Sequence, residues 1–268
     1  MKKTILFFSV LALVSIFSLP AQEEDPYTAS EVTRYDNGNK QSERSYRFQK
    51  PHGFWREWAE NGQILSEGQY EDGKKVGAWR TWNTDGSKKD EFNYRQDRLH
   101  GRFSRWFENG GKEEQGEYDD GRETGDWVRW DEDGRYLERK SYDRTRFELI
   151  RQIRFEYDEE EVISTQNEWY DSGRKKSETR QVNGRLDGPQ REWFENGNLS
   201  LETEYLNGME DGLHIDYHES GAMRIRSRMR NGKRHGVTEA FSETGEKLWA
   251  KHYEDGIFKY QLPIDESD

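Results

Sequence analysis

The sequence predicts an all-β fold: an elongated array of β-hairpin repeats with a 24-residue period, forming a long twisted antiparallel sheet. Three observations predict it. Glycines end Asn-Gly-like turns at Gly38, Gly62, Gly86, Gly110, Gly134, Gly173, Gly197, Gly221 and Gly245, and every step is 24 residues except the 39 between Gly134 and Gly173. The peptide WFENG stands at 106–110 and again at 193–197, with WAENG at 58–62. Composition fits a thin β-architecture: 31% hydrophobic and 36% charged, with 14% aromatic. Disordered chains carry few aromatics, and a fixed internal period marks a repeat architecture.

Residues 1–22 differ from the rest. Lys2 and Lys3 precede an apolar run from Ile5 to Phe17, followed by Ser18-Leu19-Pro20-Ala21-Gln22. This reads as a signal peptide cleaved near Ala21 or Gln22, the alternative being an uncleaved N-terminal anchor. The run is short for a membrane span. It places the mature chain in the periplasm or outside the cell, with no membrane insertion after cleavage. The absence of cysteine rules out a lipoprotein anchor, disulfides and a thiolate zinc site.

After a linker at 23–34, the N-terminal repeats run over 35–140. Eight residues past each turn glycine stand Tyr46, Tyr70, Tyr94, Tyr118 and Tyr142. A second turn glycine follows at Gly73 and Gly121, and a further one recurs at Gly53, Gly77, Gly101 and Gly125. Asn-Gly and Asp-Gly suit tight hairpin turns, and the intervening seven to ten residues suit strands. An irregular, extended hairpin occupies 141–170: residues 142–157 read as one longer strand, and Asp158-Glu159-Glu160-Glu161 replaces a glycine turn. The C-terminal repeats cover 171–260, with Gln181 and Met229 in place of the repeat tyrosine, and a tail covers 261–268. Nine two-strand units give a sheet roughly 80–90 Å long.

Counting from the recurring Gly53-type residue, position +5 is aromatic throughout: Trp58, Trp82, Trp106, Trp130, Trp193, Tyr217 and Phe241, with Trp169 in the same register. Position +2 is Trp55, Trp79, Phe103 and Trp127 in the first half, then Gln190, His214 and Thr238. On a strand, +2 and +5 point to opposite faces unless a bulge intervenes. The +5 residues are therefore expected to form the packing seam. The +2 aromatics form a second stripe: a candidate binding face if exposed, internal packing if not.

The unit reads E-G-x-Y-x-x-G-x-x-x-G-x-W-x-x-W-x-E-N-G. It resembles the MORN-repeat variant, in the form found in bacterial YwqK-type antitoxins, over about residues 35–260. The resemblance implies an array of β-hairpins working as a non-enzymatic scaffold for protein–protein interaction, with antitoxin-like neutralisation as a further possibility.

Two other classes enter. Gly- and Trp-rich hairpins are also similar to carbohydrate- or cell-wall-binding arrays, although those repeats are nearer 20 residues. The Tyr-Asp turns at Tyr35-Asp36 and Tyr170-Asp171 are similar to the YD repeats of large secreted shells, which this chain is too short to form. A net charge of −12 argues against nucleic acid. No phosphate loop, nucleophile elbow or H-E-x-x-H motif occurs, and the acidic turns lack the full calcium-loop pattern. The expectation is no enzyme, no cofactor and no metal, with a protein partner and a glycan as the competing partner class.

Overall fold

The structure is a computed structural model and describes residues 28–263. Over this span the chain is one antiparallel sheet of twenty-two strand segments and no helix. Each strand pairs with its sequence neighbours, so the topology is an uninterrupted meander. The short segments Arg98–Leu99 and Lys233–Arg234 lead into Gly101–Trp106 and Gly236–Phe241. The predicted leader lies outside the described residues. The predicted linker is corrected: Thr28–Arg34 is a strand paired with Lys40–Arg47. It escaped the pattern because Ala29 stands where the repeat has glycine. The last strand, Ile257–Leu262, likewise runs into the predicted tail.

Two kinds of turn alternate along the ribbon edges. At one edge the Gly62 amide donates to the Ala59 carbonyl at 2.9 Å, and all nine turn glycines repeat this bond. At the other edge lie two-residue turns such as Asp72-Gly73, with φ of 49° and 86°. These mirror-image turns match the right-handed twist of the flanking strands. The recurring third glycine marks a bulge. Glu67 pairs with Arg80 but Gln69 with Val76, so residues 77–79 oppose Gly68 alone, and Gly77 takes φ of 64°.

The irregular segment differs from expectation. Residues 142–157 are not one strand: Tyr136–Tyr142 ends in a turn, and Leu149–Asp158 begins the next strand. The Asp143 carboxylate accepts the Thr145 and Arg146 amides at 2.9 and 2.8 Å and builds that turn. Without a glycine, the turn left no mark in the sequence pattern. The acidic turn does close a tight hairpin, with Asp158 paired to Glu161.

This segment also shifts the register. Ser66 pairs with Thr81, whereas Glu138, the same repeat position three units on, pairs with Arg154 rather than residue 153. A slip of one residue moves every following side chain to the other face. Cross-strand partners share a face, and the row from Trp127 runs through Lys140, Gln152, Asn167, Glu178, Arg191, Glu202 and Ile215 to Arg226. Position +2 in the first half therefore shares a side with position +3 in the second. The two halves present the same repeat to opposite sides of one sheet.

Candidate interaction surface

The +2 aromatics do not form an exposed stripe. Phe103 and Trp127 are 3% and 4% exposed, and Trp55 and Trp79 are half-buried. They interleave with the repeat tyrosines in edge-on contacts, with centroids 5.1 Å apart for Trp55–Tyr70 and Tyr70–Trp79 and 4.9 Å for Tyr118–Trp127. Phe92 and Phe103 continue the row at 5.0 Å. Such pairs add about 0.5–1.5 kcal/mol beyond area burial. Phe103 and Trp127 are thereby corrected from binding face to core, while Trp55 and Trp79 keep part of their surface open. In a single-layer sheet, rings on adjacent strands have only one another to bury against.

The +5 residues take a different part from the expected ring-stacked seam. Trp58, Trp82, Trp106, Trp130, Trp169, Trp193, Tyr217 and Phe241 are all half-buried. Lys40, Lys88 and Lys175 lie over Trp58, Trp106 and Trp193 at 5.3, 5.3 and 5.1 Å, a cation–π arrangement. Their backbone carbonyls receive bonds from the preceding unit: Tyr35 Oη donates to Trp58 O at 2.8 Å, and Tyr170 Oη to Trp193 O at 2.7 Å. Successive units are locked here by lysines and hydrogen bonds.

The asparagine of ENG is a second lock. Asn109 Oδ1 accepts the Gly111 amide at 2.8 Å, while its Nδ2 donates to Glu132 O in the next turn at 2.9 Å. Asn37, Asn61 and Asn196 make the same forward bond at 2.9, 3.1 and 2.8 Å. The opposite edge is stitched by backbone, with the Gly73 amide on Pro51 O at 2.7 Å and Gly121 on Leu99 O at 2.7 Å. In the sequence, ENG reads as a turn alone. The recurrence of Asn37, Asn61, Asn109 and Asn196 in phase with the turn glycines is the signal for turn-to-turn bonding.

The side facing away from the aromatic row carries charge. Arg56 reaches Glu43 and Glu67 at 3.7 Å each, and Arg80 reaches Glu67 and Glu91 at 3.3 and 3.5 Å. The ladder recurs in the second half at Arg191–Glu202, 2.8 Å, and Arg226–Glu239, 2.6 Å, now on the inverted side. Exposed pairs of this kind add little stability each. They keep the face solvated and pattern its charge.

Where the first half has rings, the second half packs small polar groups: Thr203, Ser227 and Thr238 are 0%, 2% and 1% exposed. Burial pushes the phenols of Tyr70, Tyr94, Tyr118 and Tyr142 above their ordinary value, so they stay neutral. At Glu138 burial opposes charge, yet contacts from Lys140, Gln152 and Arg154 hold the carboxyl below its usual range. The Asp216 carboxylate, 3.6 Å from the imidazole, raises His214 against the effect of burial, and the same contact lowers Asp216.

The surface has shallow depressions. One of about 500 Å³ lies by the irregular hairpin, lined by Tyr142, Arg146, Arg151, Trp169 and Asp171 among others. Its cations are engaged, Arg146 with Asp171 at 2.6 Å and Arg151 with Glu168 at 3.1 Å. Among the described residues, no group of three or more His, Asp or Glu side chains is arranged to hold a metal ion, and no helix is long and apolar enough to cross a membrane.

Three stretches, 51–72, 99–120 and 186–207, match the model of the MORN repeat variant. Each covers the hairpin around an ENG turn. No curated protein matches the chain. Among solved structures, 85% of the chain is similar to a chain of TcdB2-TccC3-TEV at 8% identity and a TM-score of 0.21, covering 14% of that chain. A chain of TcdB2-TccC3-Cdc42 is similar over the same share at 10% identity and a TM-score of 0.17, with 15% of it covered.

Proposed function

We propose that this protein is an exported, non-enzymatic scaffold that binds other proteins through the faces of its sheet. The observation that carries the reading is the single-layer ribbon itself. Its +2 rings pack against the repeat tyrosines of neighbouring strands, and its charged ladders are left facing solvent on both sides. A repeat array of this kind offers a long surface patterned at fixed intervals, and nothing in it supplies a cleft that would desolvate a substrate. MORN repeats support the scaffold reading. Burial of Phe103 and Trp127 weighs against the +2 stripe as the face of a glycan-binding module, which needs open aromatic faces.

Site-specific photo-crosslinking in the native cell tests it, with the crosslinker at the solvent-facing Arg80 or Arg191. Discrete protein adducts that vanish on competition with unlabelled chain are the expected result. Glycan-array binding at micromolar affinity without protein adducts would overturn the reading. Recovery of the chain from the cytoplasm after fractionation would overturn the export part alone.

A further inference from the structure

The chain is acidic overall, but one strand carries four arginines and no carboxylate. Met223–Arg230 reads Met-Arg-Ile-Arg-Ser-Arg-Met-Arg. Strand alternation puts Arg226, Arg228 and Arg230 on one side, about 6.8 Å apart along the strand, while Arg224 falls in the bulge opposite Asp216 and Tyr217. Lys233, paired with Arg230 across the turn, extends the row. Ile225, Ser227 and Met229 point the other way, and Ser227 is buried. The face is thus fixed by packing behind it.

The arginines differ in what they have to bind. Arg226 is held by Glu239 at 2.6 Å, and Arg224 leans to Asp216 at 3.5 Å. Arg228 and Arg230 are exposed and have no carboxylate within ion-pair distance among the described residues. Beside the free pair lie exposed aliphatics. Leu213, 45% exposed, is the cross-strand partner of Arg228, and Val237, 42% exposed, shares the face through its parity with Glu239.

We infer that this face of the C-terminal half is a docking surface for an acidic, extended polypeptide segment that carries apolar side chains. The inference rests on the scaffold reading and gives it a face and a partner chemistry. Two unneutralised guanidiniums form bidentate bonds with carboxylates, and the flanking Leu213 and Val237 offer apolar contact between them. That mixture suits a peptide. A nucleic acid or sulfated polymer would call for cations alone in that row. The register shift at the irregular hairpin puts this stripe on the side of the sheet that bears the aromatic row in the first half, so one side of the ribbon is apolar-ringed at one end and cationic at the other.

The test is binding of the full chain to fluorescent poly-L-glutamate by anisotropy, with heparin as the parallel probe. Poly-L-glutamate should bind with an affinity that falls as salt rises. Arg228→Glu with Arg230→Glu should weaken binding about tenfold or more with an unchanged melting temperature, since both side chains are solvent-facing. Leu213→Ser should weaken a Glu/Val copolymer probe and leave poly-L-glutamate unaffected. The inference is overturned if the double variant binds poly-L-glutamate as the parent does, if neither binds it, or if heparin binds far tighter through the same arginines. The scaffold reading stands or falls separately. Protein adducts independent of Arg228 and Arg230 would leave it intact while this inference fails.

Discussion

Trp79 lies flat on Gly68: a Cβ added to Gly68 would stand 2.1 Å from the indole. Trp127 covers Gly116 in the same way, at 2.2 Å. The intervening unit has Phe92 in place of the glycine and Phe103 in place of the tryptophan, and the two rings meet at 5.0 Å. In these three units ring size at +2 and side-chain size on the preceding strand compensate; in the first unit Arg44 stands at the glycine's position and lies over Trp55 at 4.7 Å. Gly68→Ala must push the indole off the sheet and from Tyr70 and Tyr94. A loss of about 1–3 kcal/mol is expected, the usual cost of overpacking, read by urea unfolding. An unchanged midpoint would show that the indole moves freely.

The exchange of parts between +2 and +5 leads to a contrast. Trp127→Ala removes a ring that is 4% exposed and leaves a void over Gly116. About 3–5 kcal/mol should be lost, as for other buried aromatics. Trp58→Ala removes a half-buried ring whose partner is the Lys40 ammonium at 5.3 Å, and should cost clearly less. Equal costs in thermal melts would make the +5 row a packing seam on a par with +2.

Asn109 serves two turns at once. Asn109→Ala deletes the bonds to Gly111 and Glu132 and should cost about 0.5–1.5 kcal/mol for each net bond lost. Asn109→Asp keeps the acceptor for Gly111 but sets a carboxylate against the Glu132 carbonyl, so its loss should exceed that of a surface Asn→Asp change elsewhere. Amide exchange at Gly110, Gly111 and Gly134 reads both effects. Faster exchange confined to the Asn109 turn would mean the forward bond carries nothing.

Much of this fold was legible because the turns are local. Glycine at a fixed period marks a repeated turn, and the two-residue turns follow from Asn-Gly and Asp-Gly. The facing of the +2 row was not legible. Strand parity says that Trp55 and Trp58 point apart, but not which side finds neighbours. That depends on the rings of adjacent strands, such as Tyr70 beside both Trp55 and Trp79, arriving at the same height. The turn at 143–148 was hidden for the opposite reason: Asp143 shapes it with its carboxylate, and no glycine is involved. The arginine stripe is plain in the sequence of Met223–Arg230, but a net charge of −12 averages it away.

His214 sits where the first half has a ring, with Asp216 and Glu210 at 3.6 and 3.7 Å and Arg234 near enough to oppose its charge. Its folded pKa is raised from 6.5, chiefly by Asp216. Protonated His214 thus stabilises the fold fully below pH 6.5, and the contribution is lost as pH climbs through the higher folded value. Asp216, depressed from 3.8, contributes above that value and loses its part only as pH falls through its lower folded pKa. The stability gap between the parent chain and His214→Gln should shrink from pH 6 to pH 8 in urea titrations. A gap constant over that window would place the imidazole outside the ion pair.

Because each unit touches only its neighbours, the two halves should open separately. At +2 the first half buries Phe103 and Trp127 and half-buries Trp55 and Trp79. The second buries Thr203 and Thr238 instead; unpartnered hydroxyls occur in both halves, at Thr124 as at Thr203 and Thr238, so the ring burial sets the difference. Amides of Lys74–Trp82 and Arg122–Trp130 should therefore exchange more slowly than those of Arg185–Trp193 and Met209–Tyr217. The relation of Gly68 to Trp79 supplies the complementary experiment. Thr203 precedes His214 as Gly68 precedes Trp79, so Thr203→Gly with His214→Trp transplants the stacked pair. Together they should slow exchange in Met209–Tyr217, while His214→Trp alone should speed it by clashing with Thr203. Uniform protection along the parent ribbon, or a double variant no slower than the parent, would mean that ring packing does not set the local stability of this sheet.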